Sequence, residues 1–162
     1  MRHYRVGEEA LFWQDEGEIE QSLPYSDITC VEGKFTPSRV QLNRYCLRIH
    51  SRTRGPIDIT NTTYRGFGDF QENNETFAPF IKELHQKMAQ ENNNVIFKKG
   101  ISWLGYYASI VTAVLLLLVL MGAGYFLLMQ DMIMVVIIKA GFILYYYPSL
   151  LRYIRENKPG LY

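Results

Sequence analysis

The stretch WLGYYASIVTAVLLLLVLMGAGYFLL, from Trp103 to Leu128, contains no charged residue, and it decides how the rest of the chain is interpreted. As an α-helix it would be about 39 Å long, which exceeds the ~30 Å hydrocarbon core of a bilayer. A second apolar run, Met132 to Leu151, follows after only Met129-Gln130-Asp131. Two apolar helices joined by so short a connection predict a transmembrane helical hairpin.

Basic residues flank this hairpin on one side only. The connecting turn carries the single charge Asp131, whereas the outer flanks carry Lys98, Lys99, Arg152, Arg155 and Lys158. By the positive-inside rule we expect both termini in the cytoplasm and the turn outside. The predicted segments are a soluble domain (1–97), a basic junction (98–100), a first transmembrane helix (101–129), an external turn (130–131), a second transmembrane helix (132–154) and a cytoplasmic tail (155–162).

The first 60 residues consist of short alternating runs separated by turn residues. Alternation with a period of two is typical of half-buried β-strands, and the breaks at Gly17, Pro24, Pro37 and Gly55-Pro56 separate them. The spacing of roughly ten residues favours an antiparallel meander that forms a small sandwich or barrel. The five predicted strands are 10–13, 18–23, 28–35, 40–51 and 57–60.

The period of the apolar residues changes after Thr76. The positions are Phe77, Phe80, Ile81, Leu84 and Met88, which lie on one face of a helix. This pattern predicts an amphipathic helix that covers the open end of the sheet core.

The strand meander over 8–61, the segment Tyr64-Arg65-Gly66-Phe67-Gly68-Asp69-Phe70 and the helix from Phe77 to Met88 together resemble the pleckstrin-homology-like (PH-like) fold. The resemblance is to small bacterial membrane proteins that join such a domain to transmembrane helices. It implies an α+β domain, a small antiparallel barrel or sandwich capped by one helix, in a bacterial inner membrane. A further strand is expected within Tyr64–Gln71, because such folds usually have seven strands. The resemblance implies a binding or scaffolding module.

The longest predicted strand carries a basic stripe. Arg44, Cys46, Arg48, His50 and Arg52 occupy alternate positions, and Arg54 lies just beyond the strand. Next to a membrane, such a face would attract anionic lipid headgroups or a partner protein, at ~1 kcal/mol per basic residue. Residues 8–32, however, contain eight carboxylates and no Lys or Arg. We favour a solvated face whose charges pair internally, for example with Glu18 or Glu20, and keep headgroup or partner binding as the alternative.

Lys139 is the one charge well inside the predicted spans. Intramembrane charges are often functional, but a lysine about 10 Å deep reaches the interface through its long side chain. We favour this, or contact with a partner's carboxylate, over an ion or proton pathway. Gly122, Gly124 and Gly141 would permit close helix approach, either within the hairpin or at a subunit interface.

No residue pattern indicates catalysis, a metal or a cofactor. His3, His50 and His85 are isolated, and Cys30 and Cys46 are predicted to be free thiols in a reducing compartment. Residues 1–100 are nearly neutral, with 13 Lys or Arg and 14 Asp or Glu, and we expect no nucleic-acid partner. The predicted function is therefore a non-catalytic interaction or scaffolding module at the bilayer. The alternatives are a subunit of a homo-oligomeric channel or transport assembly and an anionic-lipid recognition module.

Overall fold

The computed structural model describes residues 2–38, 41–66, 69–129 and 133–161, and it divides into two compact units. The first unit comprises Met1–Lys99 and Gly160–Tyr162, and the second comprises Gly100–Pro159. The second unit is thus inserted in the chain between two parts of the first.

The first unit consists of short strands and one long helix. The strands are β1 (Arg2–Val6), β2 (Ala10–Asp15), β3 (Gln21–Pro24), β4 (Ile28–Phe35), β5 (Tyr45–Ser51), β6 (Ile57–Thr60), β7 (Thr62–Gly66), β8 (Asp69–Glu72), β9 (Ile96–Lys99) and β10 (Gly160–Leu161), with helix α1 (Asn74–Glu91) between β8 and β9. A single 3-10 turn, Tyr25–Asp27, joins β3 to β4.

These strands form three sheets. The first is the meander β1-β2-β3, the second has the order β10-β9-β4-β5-β6, and β7-β8 is a separate hairpin. Pairing is antiparallel except between β4 and β9, which are parallel. The α+β class is therefore confirmed, but the predicted barrel is wrong, because no closed barrel forms among the described strands. The physical reason is that β1 and β6 each end a sheet without pairing to one another.

The five predicted strands correspond to β2–β6 and agree with them to within a few residues. The exception is the fourth, predicted to start at Val40, which lies outside the described residues, whereas β5 begins at Tyr45. The additional strand expected within Tyr64–Gln71 is present as the hairpin β7–β8. Strands β1, β9 and β10 were not predicted. One of them, β10, lies in the segment predicted as a tail and pairs with β9.

Helix α1 packs on the sheets through its predicted apolar face. Leu84 and Met88 are completely buried, and Phe77, Phe80 and Ile81 lie partly buried against the core. The helix begins at Asn74, earlier than predicted, so Pro79 lies in its second turn. The core consists of Leu11, Trp13, Leu23, Tyr25, Ile28, Val31, Leu47, Ile49, Ile57, Ile59, Leu84 and Met88.

The second unit contains two long apolar helices, α2 (Trp103–Met129) and α3 (Ile133–Glu156), which contact each other. Both are long and apolar enough to cross a membrane. Ser102 caps the N-terminus of α2, because its Oγ accepts a hydrogen bond from Gly105 N–H at 3.2 Å. The predicted external turn, 130–131, lies outside the described residues.

Candidate functional site

The basic stripe of β5 lies on the outer face of the five-stranded sheet, where cross-strand carboxylates pair with part of it. Arg48 donates two hydrogen bonds to Asp58 on β6, both 2.7 Å long. On β4, Glu32 accepts a hydrogen bond from Lys34 and lies 3.6 Å from His50 Nε2. The strand register places Asp58, Arg48, Glu32 and Lys98 side by side across four strands, with alternating charge.

The internal partners are thus Asp58 and Glu32, and not Glu18 or Glu20. Glu20 instead accepts a hydrogen bond from Arg5 at 3.0 Å, in the first sheet. The hydrogen bonds from Arg48 and Lys34 lower the pKa values of Asp58 and Glu32, respectively. Both carboxylates are therefore charged near neutral pH, and much of this face is a network of compensated charges.

The other predicted members of the stripe are not brought together with Arg48. Arg44 precedes β5 and is half-buried, and its Nε has no hydrogen-bond partner. Arg52 is exposed, and its backbone N–H bonds to Asp27. Arg54 lies 5.7 Å from the centre of the Trp13 ring.

Burial raises the pKa values of the Cys30 and Cys46 thiols, which disfavours the reactive thiolate.

The first unit contains a cleft of about 600 Å³. It is bordered by β1, β6, the start of β7 and the first two turns of α1, so it occupies the place where a closed barrel would have its seam. Its lining residues are His3, Tyr4, Asp58, Ile59, Thr60, Thr62, Thr63, Asn73, Thr76, Phe77 and Phe80.

One wall of the cleft is fixed by Asn61, whose side chain is completely buried between β6 and β7. Its Oδ1 accepts a hydrogen bond from Tyr45 N–H at 2.8 Å, and its Nδ2 donates to Asn43 O at 2.8 Å and to Asn74 Oδ1. Its carbonyl accepts from Asn73 N–H at 2.7 Å. Asn61 thus ties the end of β6 to the beginning of α1.

The polar groups of the cleft largely bond to one another. Thr60 Oγ1 donates to Thr62 O at 3.0 Å, and Asn73 Nδ2 donates to Thr63 Oγ1 at 2.8 Å. Three aromatic rings supply the apolar part, with Tyr4 and Phe80 6.3 Å apart. This site was not among those predicted from the sequence. A signal was present in the Asn/Thr-rich segments 60–63 and 73–76, which flank the β7–β8 hairpin.

Among the described residues of the second unit, none contacts the glycines singled out in the apolar helices in a way that explains them. Lys139 is exposed on α3. A Cβ atom added to Gly122, Gly124 or Gly141 would have no heavy atom of the described chain within 4 Å. The contact between α2 and α3 therefore does not require these glycines.

Comparisons of the chain with protein-family models, with curated proteins and with solved structures find no match. Among the described residues, no three His, Cys, Asp or Glu side chains are grouped to hold a metal ion. The class that the structure defines is an α+β unit with one helix, followed by two long apolar helices in contact.

Proposed function

We propose that this protein is a non-catalytic, membrane-anchored binding module. In this proposal α2 and α3 cross a bacterial inner membrane with both termini in the cytoplasm, and the first unit is a PH-like domain that binds a partner protein. The basic flanks and the length of the apolar helices support the orientation and the anchoring.

The observation that carries the proposal is the cleft between β1, β6 and α1. It is about 600 Å³ in volume, and hydrogen bonds among its own residues hold its walls in place. Of its ionisable side chains, the Asp58 carboxylate is bonded to Arg48 and His3 is exposed. A preformed cleft of mixed polarity with compensated charge suits recognition better than proton transfer.

Site-specific photocrosslinking in living cells tests this function. A benzoyl-phenylalanine in place of Thr76, at the rim of the cleft, should give a discrete crosslinked product containing a second protein. The same probe in place of Gln86, which is exposed further along α1, is the matched control and should not give that product. Equal crosslinking at both positions, or none at Thr76, would contradict the proposal.

A second candidate is a homo-oligomeric channel or transport assembly, and the exposure of Lys139 favours it. A lysine on an apolar helix is costly unless it reaches the interface or meets a carboxylate from another chain. Native mass spectrometry should then show a defined oligomer, and Lys139→Met should change ion flux in liposomes. An unchanged flux would exclude the transport role.

The anionic-lipid alternative has less support, because Arg48 is already paired with Asp58. Its test is the binding of the full chain, in nanodiscs of neutral lipid, to vesicles containing anionic lipid. Combined charge reversal at Arg44, Arg48 and Arg52 should abolish that binding if lipid is the ligand.

A further inference from the structure

We infer that the side chains of Thr36 and Arg44, at the end of the β4–β5 pair, bind the phosphate group of an anionic ligand. Neither residue lines the cleft, so this site is separate from the proposed function and is tested independently of it. The inference depends on two buried polar atoms that lie at the same place in the sheet and lack hydrogen-bond partners.

Thr36 and Arg44 occupy opposite positions on two paired segments. The antiparallel register of β4 and β5 ends at the pair Phe35–Tyr45, and Thr36 N–H then donates to Arg44 O at 2.9 Å. Because side chains alternate along such segments, Thr36 and Arg44 belong to the same face of the sheet as Lys34. Side chains at directly opposite positions start from Cβ atoms about 5 Å apart, so the two can contact one ligand.

Each of these two side chains contains a buried polar atom without a hydrogen-bond partner among the described residues. The atoms are the hydroxyl oxygen Oγ1 of Thr36 and the Nε of Arg44. Buried polar atoms are nearly always paired, so two unpaired atoms at one place need an explanation. Both groups can donate a hydrogen bond, and a phosphate group accepts several such bonds at once. The donor pair therefore suits an oxyanion.

The carboxylates nearest to Arg44 already have partners. Asp58 accepts two hydrogen bonds from Arg48, and Glu32 accepts one from Lys34. Among the described residues, no carboxylate forms an ion pair with Arg44. A water molecule would satisfy the Nε–H of Arg44 but leave the charge of the guanidinium uncompensated, whereas a phosphate group supplies both an acceptor and a negative charge.

Lys34 adds a second positive charge to this end of the sheet. It lies two residues before Thr36 and directly opposite Cys46 in the strand register. Burial raises the pKa of the Cys46 thiol, and the charges of Arg44 and Lys34 both act against that rise. The two cations are therefore within electrostatic reach of one point on this face, where they would stabilise a bound anion together.

The backbone around Arg44 is fixed in the absence of a ligand. The Asn61 side chain bonds to Tyr45 N–H and to Asn43 O, on either side of Arg44, both at 2.8 Å. The hydrogen bond from Thr36 N–H holds Arg44 from the neighbouring segment. A phosphate group would meet donors on an ordered backbone, which lowers the entropic cost of binding.

NMR spectroscopy of the isotopically labelled full-length protein tests the site. The protein is held in maltoside micelles, which contain no phosphate, and the Nε–H signal of Arg44 is assigned by its absence in Arg44→Lys. Inorganic phosphate, or phosphatidylglycerol mixed into the micelles, should shift this signal saturably, whereas sodium chloride at the same ionic strength should not.

The two phosphate sources separate the possible ligands. A shift with inorganic phosphate would show that a free phosphate group is sufficient, and a shift with the lipid alone would show that a headgroup is required. Either result supports the site. The absence of a shift with both sources, or an equal shift with chloride, would overturn the inference and leave ordered water as the partner of the two atoms.

Variants separate a binding role from a structural one, with binding followed through the amide signal of Tyr45. Arg44→Lys keeps the charge but removes the Nε–H, and it should weaken binding about tenfold. The matched control Arg52→Lys, at an exposed arginine, should bind as the wild type does. Thr36→Val removes an unpaired hydroxyl, so it should weaken binding without lowering the urea midpoint in phosphate-free buffer. A lower midpoint would show that the hydroxyl has a partner in the free protein, which would contradict the inference.

Discussion

The side chain of Asn61 forms hydrogen bonds with Tyr45, Asn43 and Asn74. Its carbonyl oxygen accepts a further hydrogen bond from Asn73 N–H. Its replacement by alanine would remove the side-chain partners of Tyr45 N–H and Asn43 O, which belong to half-buried residues. We therefore expect Asn61→Ala to lower the free energy of unfolding by about 3 kcal/mol. Chemical unfolding of the full chain in a mild detergent measures this. The control is Asn93→Ala at an exposed position, where a change of less than about 0.5 kcal/mol is expected. Equal effects would contradict the role assigned to Asn61.

His85 on α1 gives the first unit a dependence on pH. Its ring lies 4.7 Å from that of Phe97 on β9, and burial lowers its pKa below the ordinary value of 6.5. The unfolded chain therefore takes up a proton at higher pH than the folded chain does. Stability should be complete above about pH 6.5 and fall as the pH drops from there toward the lowered pKa of the folded state.

Urea unfolding between pH 7.5 and 5.5, followed by Trp13 fluorescence in a Trp103→Phe background, measures this dependence. Over that range His85→Gln should flatten the pH profile. Asp58 and Glu32 do not interfere, because their pKa values are lowered and they titrate in more acidic solution. An unchanged profile in His85→Gln would assign the effect elsewhere.

At the scale of elements, two glycines with the same backbone conformation have different surroundings. Gly17 and Gly100 have φ of 81° and 79°, which side chains rarely adopt. A Cβ on Gly17 would meet nothing within 4 Å, but one on Gly100 would press against the carbonyl oxygens of Asn157 and Lys158. Gly17→Ala should cost about 1 kcal/mol from backbone strain alone. Gly100→Ala should cost about 3 kcal/mol or more, because the strain and the clash add.

Thermal unfolding of both variants in the same detergent compares the two costs. Hydrogen exchange then locates the effect: Gly100→Ala should raise exchange around Ile101, whose N–H bonds to Asn157 O at 3.1 Å. Similar unfolding temperatures for the two variants would show that the segment around Gly100 adjusts without cost.

The elements that the sequence predicted are those whose burial follows a regular period. Helix α1 has a continuous apolar stripe, and burial alternates along β2, β5 and β6, so each could be predicted from its own residues. Strands β9 and β10 could not, because they are short and largely exposed and their pairing joins residues far apart in the chain. The open seam between β1 and β6 depends on such long-range pairing too, and so the barrel prediction failed.

The same limit applies to the candidate site. The alternation of polar and apolar residues in the sequence predicted that Arg48 lies on an exposed face. Its partner Asp58, however, is determined by the register between β5 and β6, which places the two residues opposite each other. The cleft combines β1 with β6 and α1, and the residues of β1 are more than 50 positions from those of the other two elements, so no local pattern records that proximity. The buried Asn61 resembles an ordinary turn residue until its five hydrogen bonds are seen.

At the scale of the whole molecule, the apolar helices expose a large apolar surface, and its contact with water is unfavourable. In the most apolar part of α3 no residue is buried, and in the most apolar part of α2 only 6% of the residues are buried. Contiguous apolar surface of this size indicates contact with lipid or with other chains. The proposed orientation rests on the positive flanks, since the connecting turn contains no basic residue.

Cysteine accessibility tests this orientation directly. In a Cys30→Ser, Cys46→Ser background, Asp131→Cys should react with a membrane-impermeant maleimide in intact cells, because the turn is predicted to lie outside. Lys158→Cys is the matched control, and it should react only after lysis, because the second flank is predicted to be cytoplasmic. The reverse pattern would invert the orientation, and labelling of both variants in intact cells would exclude a hairpin that crosses the membrane twice. Either result would also remove Cys30 and Cys46 from the reducing compartment in which free thiols are expected.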